Sequence, residues 1–109
     1  MPQPVTSAPP DRFRSFSAFY PFYLAQHSNQ TCRRLHFVGT GLALVLLGLA
    51  VTTGDWRALL AMPLAGYGFA WVGHLVFEKN RPATFSYPWY SLAGDLVLFR
   101  DMLVGRIRF

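Results

Sequence analysis

Residues 35–54 and 58–77 form two stretches of 20 residues, each without Asp, Glu, Lys or Arg. A helix of that length spans about 30 Å, the hydrocarbon core of a bilayer. Both stretches are apolar on all sides, and a chain of 109 residues has too little left to cover two such helices. The pattern therefore favours a transmembrane hairpin over a soluble protein with two buried helices. Thr53-Gly54-Asp55-Trp56 makes the tight turn, with Trp56 suited to the far interface. Ahead of the hairpin, residues 13–27 predict a short helix dense in aromatics: Phe13, Phe16, Phe19, Tyr20, Phe22 and Tyr23. It is too short to span, and its rings beside Arg12 and Arg14 place it in the headgroup region. Pro21 sets an early turn or a bend within it. Residues 28–31 break this helix, and Asn29 or Thr31 caps the next, which runs from about residue 31 to 53. A kink is expected at Pro63 in the second spanning helix. Residues 78–88 form a loop holding Pro82 and Pro88. Residues 91–104 then place Leu92, Leu96, Phe99 and Leu103 on one face, with Asp95, Arg100 and Asp101 elsewhere. This last segment reads as an amphipathic helix on the membrane surface.

The expected fold class is an all-α integral membrane protein. It comprises a two-helix transmembrane hairpin, an aromatic N-terminal interfacial helix and a C-terminal amphipathic helix. Residues 1–11, MPQPVTSAPPD, are Pro-rich and lack both a basic n-region and an apolar core, so they read as a disordered tail rather than a signal peptide. Residues 12–109 form one domain.

The net charge of +5 changes the picture only through its distribution. Arg12, Arg14, Arg33, Arg34, Lys79 and Arg81 lie at one end of the hairpin, whereas the turn at the other end carries only Arg57. By the positive-inside rule, the N-terminus and the 78–90 loop face the cytoplasm. The membrane would be the cytoplasmic membrane of a bacterium or the endoplasmic reticulum of a eukaryote. No basic patch with interleaved stacking aromatics is present, so nucleic acid is not an expected partner. Cys32 is the single cysteine, which precludes an intrachain disulfide and fits a reducing face.

The chain's three histidines all fall at the basic end: His27 just before the hairpin, His36 at the start of its first helix and His74 near the end of its second. Folding back at residues 28–31 lets His27 face the same point as the other two. Tyr20, Tyr23 and His27 share a face at helical spacing, as do Gly66, Ala70, Gly73, His74 and Phe77, whose small residues permit close helix approach. Imidazole is a good ligand for iron, zinc and copper. Three histidines from three segments would leave coordination positions open, the mark of a catalytic site. The plain alternative is that each histidine sits at a helix end and bonds a carbonyl or the interface; spacing alone leaves both open. His74 and Glu78 form an i, i+4 pair, so Glu78 would orient the histidine or complete the ligand set. Arg33, on the face of His36, would clamp a substrate carboxylate, with bilayer anchoring as its plain reading. Asn80 would cap the helix end or bond near the site, and Asp95 would back it or lie exposed.

Phe19-Tyr20-Pro21-Phe22-Tyr23-Leu24-Ala25-Gln26-His27-Ser28-Asn29, then Leu35-His36-Phe37-Val38-Gly39-Thr40, then Gly73-His74-Leu75-Val76-Phe77-Glu78-Lys79-Asn80-Arg81-Pro82-Ala83, resembles the Mpo1-like family. The resemblance covers roughly residues 16–103, and its most specific piece is GHxxFExNxPA. It implies an iron(II)-dependent dioxygenase of α-oxidation, converting a 2-hydroxy fatty acid into a fatty acid one carbon shorter. It also implies His27, His36 and His74 as iron ligands, and a membrane lipid or fatty acid and molecular oxygen as partners. The chain is shorter than eukaryotic members, with the compact turn at Gly54-Asp55 where they have longer hydrophobic segments. A homodimer is one way to complete the membrane core. Two other functions fit the same residues: a haem electron carrier ligated by His36 and His74, and a non-catalytic membrane scaffold or lipid-binding protein.

Overall fold

The computed structural model describes residues 13–109; the stretch expected as a disordered tail, and Arg12, lie outside them. The described chain is all α, in the order α1 (Phe16–Ala25), α2 (Gln30–Thr53), α3 (Trp56–Val72) and α4 (Pro88–Leu103). A π-helical turn, Gly73–Glu78, continues α3, and a short 3₁₀ turn, Ala83–Phe85, precedes α4.

Local chemistry sets the boundaries. Ser15 caps α1 by accepting from the Ala18 amide at 3.1 Å. Asn29 caps α2 through its Oδ1, which accepts from the Cys32 amide at 3.1 Å, so the break falls at residues 26–29, two residues ahead of the expected 28–31, and His27 lies in the turn rather than at the end of α1. Gly54 closes α2 in the left-handed region (φ 72°), a conformation glycine takes without Cβ strain, and Asp55 caps α3 two residues on. Pro63 lies within α3, which continues through it.

α2 and α3 form an antiparallel hairpin, and both are long and apolar enough to cross a membrane when α3 is taken with its π-helical turn. Gly39 is the point of closest approach: a Cβ there would meet the Phe69 Cβ at 2.9 Å. Away from that seam the two helices turn apolar side chains outward, with Val45, Val51, Leu60 and Leu64 59–77% exposed. An apolar belt of this extent on a small protein marks a surface that meets something other than water.

The buried core lies beyond the hairpin's basic end. Phe19, Tyr23, Tyr87, Leu98 and Met102 form it, with Phe13, Phe16 and Phe22 packed around them. The aromatics of α1 thus face α4, and Phe19 is wholly buried, although aromatic density alone suggested a helix spread on the headgroups. The buried face of α4 also differs from its leucine stripe. Ser91, Gly94, Leu98, Asp101 and Met102 point inward, while Leu92, Leu96 and Leu103 are 45–65% exposed. Small side chains face inward because the Tyr23 ring lies against Gly94, where a Cβ would sit 2.8 Å from it.

Truncating Phe19 to Ala should destabilise the fold by about 3–5 kcal/mol, since it opens a cavity in a packed core. Leu64→Ala, on the outward belt, should cost far less. Denaturant unfolding of both variants in the same detergent checks the contrast; equal losses would contradict the placement of the core.

Candidate metal centre

His27, His36 and His74 are all buried, at 2%, 4% and 2% exposure. Their ring centroids lie 4.3 Å (27–36), 4.4 Å (27–74) and 4.8 Å (36–74) apart. One nitrogen from each can be chosen so that all three lie within 4.8 Å of one another. The histidines aligned by the sequence are therefore brought to one point.

Each imidazole is held from behind. His27 Nδ1 faces the Tyr23 carbonyl at 2.6 Å, and His36 Nδ1 faces the Cys32 carbonyl at 3.0 Å. His74 Nδ1 faces Asn80 Oδ1 at 2.7 Å. The Asn80 amide is itself oriented, because its Nδ2 donates to the Gln26 carbonyl at 3.1 Å and to Gln26 Oε1 at 3.0 Å. Every Nδ1 thus meets an acceptor, so in the neutral rings every Nδ1 carries the proton and every Nε2 a lone pair. His27 Nε2 and His36 Nε2 are 3.0 Å apart. Two lone pairs at that distance repel unless a proton or a cation lies between them. Nitrogens each about 2.1 Å from one ion, at right angles to each other, lie about 3.0 Å apart, so the spacing fits a shared metal ion. Burial, then the charges of His36 and His74, holds the His27 pKa well below 6.5, keeping it in the neutral form that binds metal.

Two close backbone approaches make this convergence possible. Gly73 lies against α2, where a Cβ would meet Cys32 Sγ at 3.0 Å and Cys32 Cα at 3.2 Å. Gly94 admits the Tyr23 ring, which stacks on His27 at 4.0 Å between centroids. The π-helical turn carries His74 and ends at Lys79, a non-glycine residue at φ 59°. π-Helical turns recur at functional sites because the inserted residue re-aims a side chain.

Glu78 and Arg33 grip the turn that folds His27 back. Glu78 Oε1 accepts from the Asn29 amide at 2.6 Å and from Ser28 Oγ at 3.0 Å. Arg33 Nη1 donates to the Ser28 carbonyl at 2.8 Å and to the His27 carbonyl at 3.3 Å. Glu78, four residues from His74, still acts on that ring through its charge, while its hydrogen bonds go to the His27 turn.

A small cavity of about 20 Å³ touches all three histidines and is also lined by Tyr23, Ser91 and Asp95. Ser91 is 4% exposed, and its Oγ has no hydrogen-bond partner among the described residues. Asp95 Oδ1 accepts from the Tyr23 hydroxyl at 2.5 Å. Burial pushes the Asp95 carboxyl up to about 6, with the Tyr23 hydrogen bond acting the other way. A second, larger cavity of about 350 Å³ shares His36, Tyr67, Ala70 and Asp95 with the first and runs between α2, α3 and α4. Ser91, Tyr67 and Gln26 did not stand out in the sequence. For Ser91 a signal existed: it precedes Asp95 by four residues and so shares its helix face.

Fold and site together define an all-α protein with two membrane-length helices and a buried three-histidine cluster, suited to a metal ion, at one end. The chain belongs to the Mpo1-like family, described as 2-hydroxy-palmitic acid dioxygenase Mpo1-like, whose model matches residues 13–107. No curated protein and no solved structure matches it. The haem reading fails on geometry: His27 lies against both His36 and His74, leaving no plane for a macrocycle between them.

Asn80→Ala should weaken metal binding about 10–100-fold, the usual effect of removing a partner that orients a ligand, and His74→Ala should weaken it further. Titration against a competing chelator measures both. A second expectation concerns pH. Asp95 titrates at about 6 in the fold against 3.8 for the free group, so between those values the fold holds a proton that the unfolded chain has lost. Its contribution therefore falls as pH rises from about 4 to 6. Asp95→Asn should flatten that segment of the metal-free protein's stability profile; an unchanged slope would show the carboxyl to be solvated.

Proposed function

We propose that the protein is an iron(II)-dependent dioxygenase acting on 2-hydroxy fatty acids, embedded in a membrane with its histidine end towards the cytoplasm. The observation that carries this reading is the set of three imidazoles, each with its Nδ1 on a carbonyl oxygen, presenting Nε2 lone pairs to one buried point. Family membership supplies the reaction class. The exposed apolar belt and the excess of Arg and Lys at the histidine end support the membrane placement.

In this reading His27, His36 and His74 hold the metal. Three protein ligands leave positions for substrate and dioxygen. A bound iron(II) would supply the means of bringing dioxygen and the 2-hydroxy acid together and passing electrons between them. The overall reaction balances as 2-hydroxy acid plus dioxygen giving the acid one carbon shorter, carbon dioxide and water. Four electrons leave the substrate and four reach dioxygen, so no further reductant is needed. The chain's own residues position and shield. Glu78 and Arg33 act by fixing the His27 turn; Arg33, the carboxylate clamp expected from the sequence, donates to the His27 and Ser28 carbonyls and lines neither of the two cavities beside the histidines. Tyr23 covers one face of His27 and orients Asp95.

Elemental analysis of anaerobically purified protein tests the reading. About one iron per chain is expected, lost in His74→Ala, with dioxygen consumption on adding 2-hydroxypalmitic acid. Zinc in place of iron, or no metal after iron has been offered, would overturn it.

A further inference from the structure

The larger cavity has a polar end and an apolar remainder. Its polar side chains His36, Tyr67 and Asp95 also line the small histidine-lined cavity, and Thr40 lies one helical turn beyond His36. Beyond them the wall is carbon, with Ala43 and Leu47 of α2 facing Gly66 and Met62 of α3, and Leu92 and Leu96 of α4 closing the side. From His36 to Leu47 the run along α2 is about 16 Å at 1.5 Å per residue. A volume of about 350 Å³ drawn out along a helix suits a long chain better than a compact ring.

The end near the histidines carries the complementary polar chemistry. Ser91 Oγ is a buried hydroxyl without a partner among the described residues, in a cavity of about 20 Å³ that admits about one small polar group. A buried unpaired hydroxyl is unfavourable in an empty site and favourable once a ligand oxygen meets it. Asp95 uses Oδ1 for Tyr23 and has the lone pairs of Oδ2 for a donor. One donor and one acceptor beside the histidines match a head group bearing a carboxylate and a hydroxyl.

We propose that the cavity between α2, α3 and α4 seats the acyl tail of the substrate, head at Ser91 and Asp95, tail along Ala43 and Gly66 towards Leu47 and Met62. This deepens the dioxygenase reading and rests on it for the identity of the head group. Gly66 is the residue that keeps the passage open: a Cβ there meets only the Ala43 Cβ, at 3.8 Å, so a larger side chain fits the fold and grows into the tail's path.

The test is photolabelling of the full chain in detergent under anaerobic conditions, with a 2-hydroxypalmitic acid analogue carrying a diazirine at its terminal carbon. Mass spectrometry locates the adducts. Adducts at Leu47, Met62 or Pro63 are expected, lowered at least about tenfold in Gly66→Leu. Competition by 2-hydroxyoctanoic acid should survive that substitution. Ala43→Leu narrows the same passage from the opposite helix and serves if Gly66→Leu does not fold. Ser91→Ala should reduce competition by 2-hydroxypalmitic acid by up to about tenfold, the worth of one hydrogen bond. Adducts confined to the outward residues Val45 and Leu64, and indifferent to Gly66→Leu, would overturn the assignment. That result, alongside iron binding and dioxygen consumption, would leave the dioxygenase reading intact. Labelling of the passage without iron binding would instead retain the tail site and remove the reaction.

Discussion

Three uncharged imidazoles are buried against one another, and that arrangement stands only because each ring has a carbonyl oxygen behind it. Without those acceptors the rings would be free to turn their protons inward. With them, the inward face is all lone pair. Two of the acceptors are backbone carbonyls one helical turn before the histidine, at Tyr23 and Cys32. The third comes from Asn80, beyond the π-helical turn. The α1–α4 packing, the turn gripped by Arg33 and Glu78, and the contact between Gly73 and Cys32 all hold these three pairs in register.

Much of this was legible in the sequence. Two uncharged 20-residue stretches can hardly be anything but long apolar helices, and the Asn29 and Gly54 boundaries follow from side-chain capping and from glycine's freedom at positive φ. The convergence of His27, His36 and His74 followed from antiparallel geometry and one break. Other features were not legible. Periodicity laid the Leu92, Leu96 and Leu103 stripe of α4 on a membrane surface and said nothing of the face that packs on the rest of the protein. In the structure the inward positions are decided by the Tyr23 ring, which needs a glycine opposite it. The face of α4 that packs inward therefore mixes Ser91, Gly94 and Asp101 with Leu98 and Met102, a set that periodicity of hydrophobic residues does not single out.

The π-helical turn was invisible for a different reason. Its residues, Gly73–Glu78, show no break in hydropathy and contain no proline. It forms where Gly73 packs against Cys32 at the start of α2. A carboxylate four residues from a histidine suggests a ligand pair. Here its hydrogen bonds go to Asn29 and Ser28, in the turn beside His27.

The antiparallel seam has one further consequence. Cys32 lies by Gly73, Gly39 by Phe69 and Ala43 by Gly66, so contacts proceed in step from the histidine end towards Gly54. Adding one helical turn to both helices next to Gly54 would leave every one of those pairs in place and lengthen the hairpin by about 5 Å. Bilayers differ in thickness by a few ångströms between organisms and organelles. The distal end is thus an adjustable leg: its length can change to match an apolar thickness without disturbing the histidine end.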